Sequence, residues 1–257
     1  MSIATLAFER YLDVIAGAAD LLATRAAVAG LDAAVPTCPG WSVADLVAHQ
    51  GMVHQWAAAN LQLDDSAVPS QTDILHSIRP EQLIPWFVAG AVELRTALRN
   101  TDPDVKARTF LKDAPAPRQF WARRQAHETT IHAVDALAAA LGRCPTADEV
   151  DCATDVALDG IDELLTGFFT RGRSKLAEDA PFTVAVSPTD EETAWTMAVA
   201  GGRITTERRR VDNADATFAG TACQLYFGLW NRGKEIEAAG RPEVLDRWRA
   251  VQRIRWG

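Results

Sequence analysis

The sequence predicts an α+β protein, with a four-helix bundle first and a small C-terminal α+β domain built on an antiparallel sheet. Two observations carry this. Over the first two-thirds of the 257 residues, apolar positions recur at helical spacing in four long runs. From about Pro181 to Gly220 the pattern changes to short runs rich in Val, Thr and aromatics, broken by Pro, Gly and Asp. The change of pattern falls between Gly142 and Asp151, so the expected domains are residues 1–145 and 146–257.

The first run, about Thr5 to Val28, sets Leu6, Leu12, Ile15, Leu21 and Leu22 at roughly 3.6-residue spacing. Ser42 followed by Asp45 has the form of a capping box and starts a second helix over Val43–Leu61. A polar loop with Asp64, Asp65, Pro69 and Ser70 follows, then a third helix from Pro80 to Asn100, where Pro85 is tolerable only near the first turn. The segment TDPDVKARTFLKDAPAPR reads as loop. The fourth helix spans about Arg118 to Leu141 and stops at Gly142, the left-handed position that glycine occupies at low energy. A fifth helix covers about Ala147 to Thr170. PFTVAVSP, TAWTMAVAGG, RITTERRR and ADATFAG then supply about four strands, and TACQLYFGLWNRG and RPEVLDRWRAVQRIRW two more helices.

Composition excludes several classes. Hydrophobic residues make up 48% of the chain, ample for a core, yet no run of about eighteen uncharged apolar residues could span a bilayer. The N-terminal segment carries Glu9, Asp13 and Asp20 among its apolar residues, which reads as an amphipathic helix rather than a signal peptide and predicts a cytoplasmic protein. Net charge is −8 and the densest basic tract is Thr206–Arg210, so nucleic acid is not an expected partner. Only four of the 26 basic residues are Lys, a bias associated with GC-rich bacterial genomes. Cys38, Cys144, Cys152 and Cys223 form no CxxC pair and read as free thiols, Cys38 as a turn residue.

Chemistry concentrates in Arg123–Leu141. Glu128 and His132 stand four apart, neighbours on one helical face, where a carboxylate oxygen and an imidazole nitrogen can reach one ion. His127 points about 100° away. A catalytic zinc site needs three protein ligands and one open position, so the third must come from another helix. On the second helix His49 and His54 are candidates about 140° apart; His49 lies on the apolar face with Leu46 and Val53, whereas His54 reads closer to an edge. His49, Glu128 and His132 are the sharpest set, although each also fits a hydrogen-bonded structural role.

The segments PGWSVADLVAHQGMVHQW, RRQAHETTIHAVDAL and ADATFAGTACQLYFGLWNRG together resemble the mycothiol-dependent maleylpyruvate isomerase family. That resemblance covers essentially the whole chain. It implies a DinB-like metal-binding four-helix bundle followed by a sterol-carrier-like domain, in an actinobacterial protein. It also implies a divalent metal, zinc in the family, held by His49, Glu128 and His132. Arg232, in LWNRG, matches the family's late arginine and would bind an acidic group of substrate or thiol; a helix C-terminal cap is the competing role. The implied partners are a small electrophile and the low-molecular-weight thiol mycothiol, acted on as an isomerase or S-transferase by a monomer or homodimer. Asp135, three residues after His132, is a candidate to orient a ligand. The competing functions are a non-catalytic module binding metal or a hydrophobic ligand, and a zinc hydrolase acting through water.

Overall fold

The computed structural model describes residues 6–64, 66, 68–111, 114–172 and 174–252. They divide into two compact units. One comprises Ala7–Phe110 and Ala114–Pro145; the other holds the described residues from Thr146 onward with Leu6 and Leu111.

The first unit contains α1 (Phe8–Ala29), α2 (Val43–Leu61), α3 (Gln71–Ser77), α4 (Pro80–Asn100) and α5 (Pro117–Leu141). In α1 the buried residues Leu12, Ile15, Ala19, Leu22 and Ala26 recur every three or four positions, making one continuous apolar stripe. The expected capping box opens α2: the Ser42 amide donates to Asp45 Oδ2 at 2.9 Å, and the Asp45 amide to Ser42 Oγ at 3.2 Å. Pro80 occupies the start of α4, where a missing N–H removes no helical bond, and Pro85 is accommodated inside the helix. Gly142 ends α5 at φ 68°. Helix α1 packs on α4 and α5, and α2 on the same two, so the long helices close a ring in the order α1, α5, α2, α4. This is the four-helix bundle predicted from the apolar periodicity.

The stretch read as loop around Ser70 contains α3. Its start repeats the Ser-x-x-Asp signature, with Ser70 and Asp73 bonded reciprocally. Ile74 is the one residue it buries, so the segment has no periodicity to announce it.

In the second unit, α6 (Thr154–Asp162) continues through a π-helical turn (Glu163–Phe168) and a 3-10 turn (Phe169–Arg171). The long fifth helix of the sequence reading is thus a shorter α-helix with an overwound and underwound end. Five strands follow with two interspersed helices: β1 (Phe182–Pro188), β2 (Trp195–Ala200), β3 (Arg203–Glu207), β4 (Ala216–Gly220), α7 (Ala222–Leu229), β5 (Glu237–Gly240) and α8 (Glu243–Val251). The order is β3-β2-β1-β4-β5. Three of the pairings are antiparallel, as expected, but β1 and β4 run parallel with Val184 opposite Ala216. The chain therefore crosses over after β3 to reach the far side of β1.

Strand β5 is the addition to the four expected strands. Its residues, EAAG, have little β propensity and pair only along one edge. Gly240, at φ 78°, is required there, because a Cβ would lie 2.4 Å from the Asp215 carbonyl oxygen. The basic tract in β3 and beyond has a structural partner: Arg208 grips the buried Asp162 carboxylate through Nε at 2.6 Å and Nη2 at 2.8 Å. No helix among the described residues is long and apolar enough to cross a membrane.

Candidate metal centre

Almost every residue from Phe120 to Ala139 of α5 is buried, including Arg124, Gln125, His127, Glu128, Thr129, His132 and Asp135. Polar groups at that depth need partners, and they group into two sets.

The first set faces His49 of α2. His132 Nε2 lies 3.3 Å from Glu128 Oε1, and His49 Nε2 lies 3.8 Å from the same oxygen. The three ligand atoms are all within 4.8 Å of one another, and the three residues are buried. The His49 and His132 rings meet edge to face at 5.2 Å between centroids. Trp41 covers both, 4.9 Å from His49 and stacked 6.1 Å from His132. The tight turn after α1 sets this tryptophan down, with the Val35 amide donating to the Trp41 carbonyl at 2.9 Å.

The supports around the three are specific. Arg124, one helical turn before Glu128 and fully buried, donates from Nη2 to Glu128 Oε2 at 3.1 Å. His132 Nδ1 bonds Asp135 Oδ2 at 2.9 Å. Asp135 also accepts from Thr37 Oγ1 at 2.5 Å and from Cys38 Sγ at 3.2 Å. The carboxylate thus fixes which imidazole nitrogen carries a proton and leaves Nε2 turned toward Glu128. Asp135, the residue the sequence offers to orient a ligand, reaches His132 from the same helix, one turn on, and is itself held by the turn after α1. Cys38, His132 and Asp135 also approach closely enough to be considered as ligands together, but their shared contact is this hydrogen-bonded chain.

Electrostatics follow from this packing. Burial alone would raise the Glu128 pKa, yet the two imidazoles and the Arg124 charge outweigh it and hold the carboxyl well below its ordinary value. Burial would lower His132, but its hydrogen bond to Asp135 and the Glu128 carboxylate beside it prevail and hold it up at about 9. Burial depresses His49, against the pull of Glu128.

The donor chemistry fits a divalent cation. Glu128 Oε1 is buried and makes no hydrogen bond among the described residues, although two imidazole nitrogens point at it. An orphaned carboxylate oxygen costs free energy unless something cationic meets it, and two imidazoles with one carboxylate are ligands that zinc accepts.

The second set corrects the sequence reading of His54. It does not lie toward an edge but is completely buried, its Nε2 2.9 Å from Thr129 Oγ1 and 2.8 Å from Gln50 Nε2, its ring stacked on Phe87 at 5.5 Å. Helix α2 is flanked by both α4 and α5, so two faces about 140° apart are both interior. Burial takes its pKa to about 3, and it is a neutral core histidine. His127 packs edge to face on Tyr11 at 6.4 Å. Arg124, assigned no role from the sequence, holds the other oxygen of Glu128; its place four residues before the glutamate was the available signal.

Arg232 lies in the second unit, half-buried just after α7. Its backbone N–H donates to Phe227 O at 2.7 Å and its Nη1 to Trp230 O at 2.9 Å, the contacts a helix C-terminal cap makes.

Fold and site together define an α+β protein that carries a two-histidine, one-carboxylate cluster in the core of a helical bundle. Two family profiles match it: the mycothiol maleylpyruvate isomerase N-terminal domain over residues 14–137 and the MDMPI C-terminal domain over residues 155–247. The chain belongs to this enzyme family. Its fold is similar to the crystal structure of the mycothiol-dependent maleylpyruvate isomerase, with a TM-score of 0.63 at 14% identity over 94% of this chain and 97% of that one. A histidine-to-alanine mutant of that isomerase superposes equally well, with a TM-score of 0.64 at 13% identity over the same shares of each chain. Among curated proteins, none matches the sequence.

Proposed function

We propose that this protein is a cytoplasmic, zinc-dependent enzyme that uses the thiol of mycothiol as nucleophile on a small electrophilic substrate, as an isomerase or S-transferase. The observation that carries the reading is the convergence of His49 Nε2, Glu128 Oε1 and His132 Nε2 within 4.8 Å, around a buried carboxylate oxygen that makes no hydrogen bond. Membership of a mycothiol-dependent isomerase family supports the choice of thiol.

His49, Glu128 and His132 would hold the cation. When bound, such an ion supplies charge that favours the thiolate form of a coordinated thiol at neutral pH. The protein's own groups do the rest. Arg124 occupies Glu128 Oε2, leaving Oε1 as the ligand atom. Asp135 takes the Nδ1 proton of His132 in a hydrogen bond and keeps Nε2 available. Trp41 packs against both imidazoles and fixes their placement. Arg232 is assigned the acidic group of the substrate or thiol, which rests on its match to the family's arginine.

Purified without chelator, the protein is expected to hold about one zinc per chain by elemental analysis. His49→Ala and His132→Ala should each abolish it. Mycothiol should raise Tm only in the zinc-loaded protein. Metal-free protein with no thiol-dependent activity would leave a non-catalytic binding module; activity that persists without any thiol would point to hydrolysis through water.

A further inference from the structure

Two thiols outside the proposed chemistry meet at the start of α7. Cys223 is the second residue of that helix, and its Sγ donates to the carbonyl oxygen of Cys152 at 3.0 Å, across 71 residues of chain. Cys152 lies just before α6, its own Sγ directed at the Ala153 carbonyl at 3.7 Å. The Cys223 sulfur therefore lies directly against the Cys152 residue, and each thiol shifts the titration of the other. Both residues are only partly buried, so a small oxidant has access. Their positions differ in a way that assigns roles. Cys223 sits in the first turn of a helix capped by Thr221, and the Cys152 thiol beside it lowers its pKa against burial and the charges of Asp190 and Asp148. Cys152 is kept protonated by the Cys223 sulfur beside it, by burial and by the charges of Asp155 and Asp151.

We propose that Cys152 and Cys223 form a peroxide-sensitive dithiol that closes to an intrachain disulfide and reopens with a low-molecular-weight thiol. The Cys223 thiolate attacks one oxygen of hydrogen peroxide; the O–O bond breaks, the leaving hydroxide takes up the proton that the Cys223 thiol had released and departs as water, and a sulfenic acid remains on Cys223. The Cys152 sulfur then attacks the Cys223 sulfur, and the hydroxyl departs with the Cys152 proton as a second water. Two thiols and one peroxide give one disulfide and two waters. Two equivalents of an external thiol reverse the step and are themselves oxidised to their disulfide.

The test treats the full-length protein with hydrogen peroxide, alkylates the remaining thiols and maps peptides by mass spectrometry. The expected result is a linked Cys152–Cys223 peptide pair, lighter by two hydrogens and restored by dithiothreitol, with Cys38 and Cys144 still alkylated. In Cys152→Ser, a dimedone adduct should appear on Cys223; in Cys223→Ser, Cys152 should stay alkylatable at the same peroxide dose. Wild-type protein in which both residues remain alkylatable, or in which Cys223 runs on to sulfinic acid with no linked pair, overturns the proposal.

Discussion

Asp135 shows how much of the cluster depends on a residue outside the three proposed ligands. It receives three donors at once, Thr37, Cys38 and His132, the first two from a turn nearly a hundred residues away in sequence. Replacing it by Asn keeps the volume but leaves one oxygen to accept all three and removes the charge beside His132. Groups in this position typically contribute about 10–100-fold to metal affinity. Asp135→Asn should therefore weaken zinc binding by roughly that factor in a chelator competition, with little loss of helix content. Unchanged affinity would reduce Asp135 to a structural clamp. Arg124 offers a contrasting case. Arg124→Met strands the Glu128 carboxylate in the core, and breaking a buried pair costs about 3–5 kcal/mol. The loss should be read in denaturant unfolding of the metal-free protein and should shrink when zinc is added, because the cation then supplies the missing positive charge.

At the scale of helices and strands, what was legible follows from pattern length. The four long helices could be read because each repeats an apolar face many times and most carry a start or stop signal, such as Ser42 with Asp45 or Gly142. Helix α3 and strand β5 could not, since each is short and buries almost nothing. The parallel pairing of β1 with β4 is set by where the crossover lands, which no local pattern records. At the site, His49, Glu128 and His132 were legible by helical spacing and family resemblance, whereas the Thr37–Cys38 clamp was not, because its partner is remote in sequence. Close packing was equally hidden. Gly51, two residues after His49, lets the Trp86 ring of α4 lie against α2, and a Cβ there would sit 2.2 Å from the ring. Gly51→Ala should thus lower Tm even though Ala gains about 1 kcal/mol in helix propensity. A stabilised variant would mean that Trp86 swings aside freely.

For the whole molecule, the buried cluster ties stability and metal uptake to pH. Without metal, His132 is held at about 9, above the value of 6.5 for an ordinary imidazole. Its contribution to stability is therefore complete below about 6.5 and lost as pH rises through about 9. Glu128 works on the acid side. Its depressed pKa gives stability that is present above the ordinary carboxylate range and is lost as pH falls below that range toward the depressed value. A cation requires His132 neutral, so uptake must displace a proton and affinity must rise with pH up to about 9. Thermal unfolding of the metal-free protein should accordingly show Tm falling between pH 6.5 and 9. With zinc in fixed excess, the gap between the two forms should widen over that interval, because the stabilisation grows with affinity. Calorimetric titrations in two buffers of different ionisation enthalpy should register about one proton released per zinc at neutral pH. His132→Ala should remove both the slope and the proton. A gap that stays constant across the interval, or zinc binding with no proton released, would show that His132 is neutral before the metal arrives and that the Asp135 and Glu128 carboxylates do not outweigh its burial.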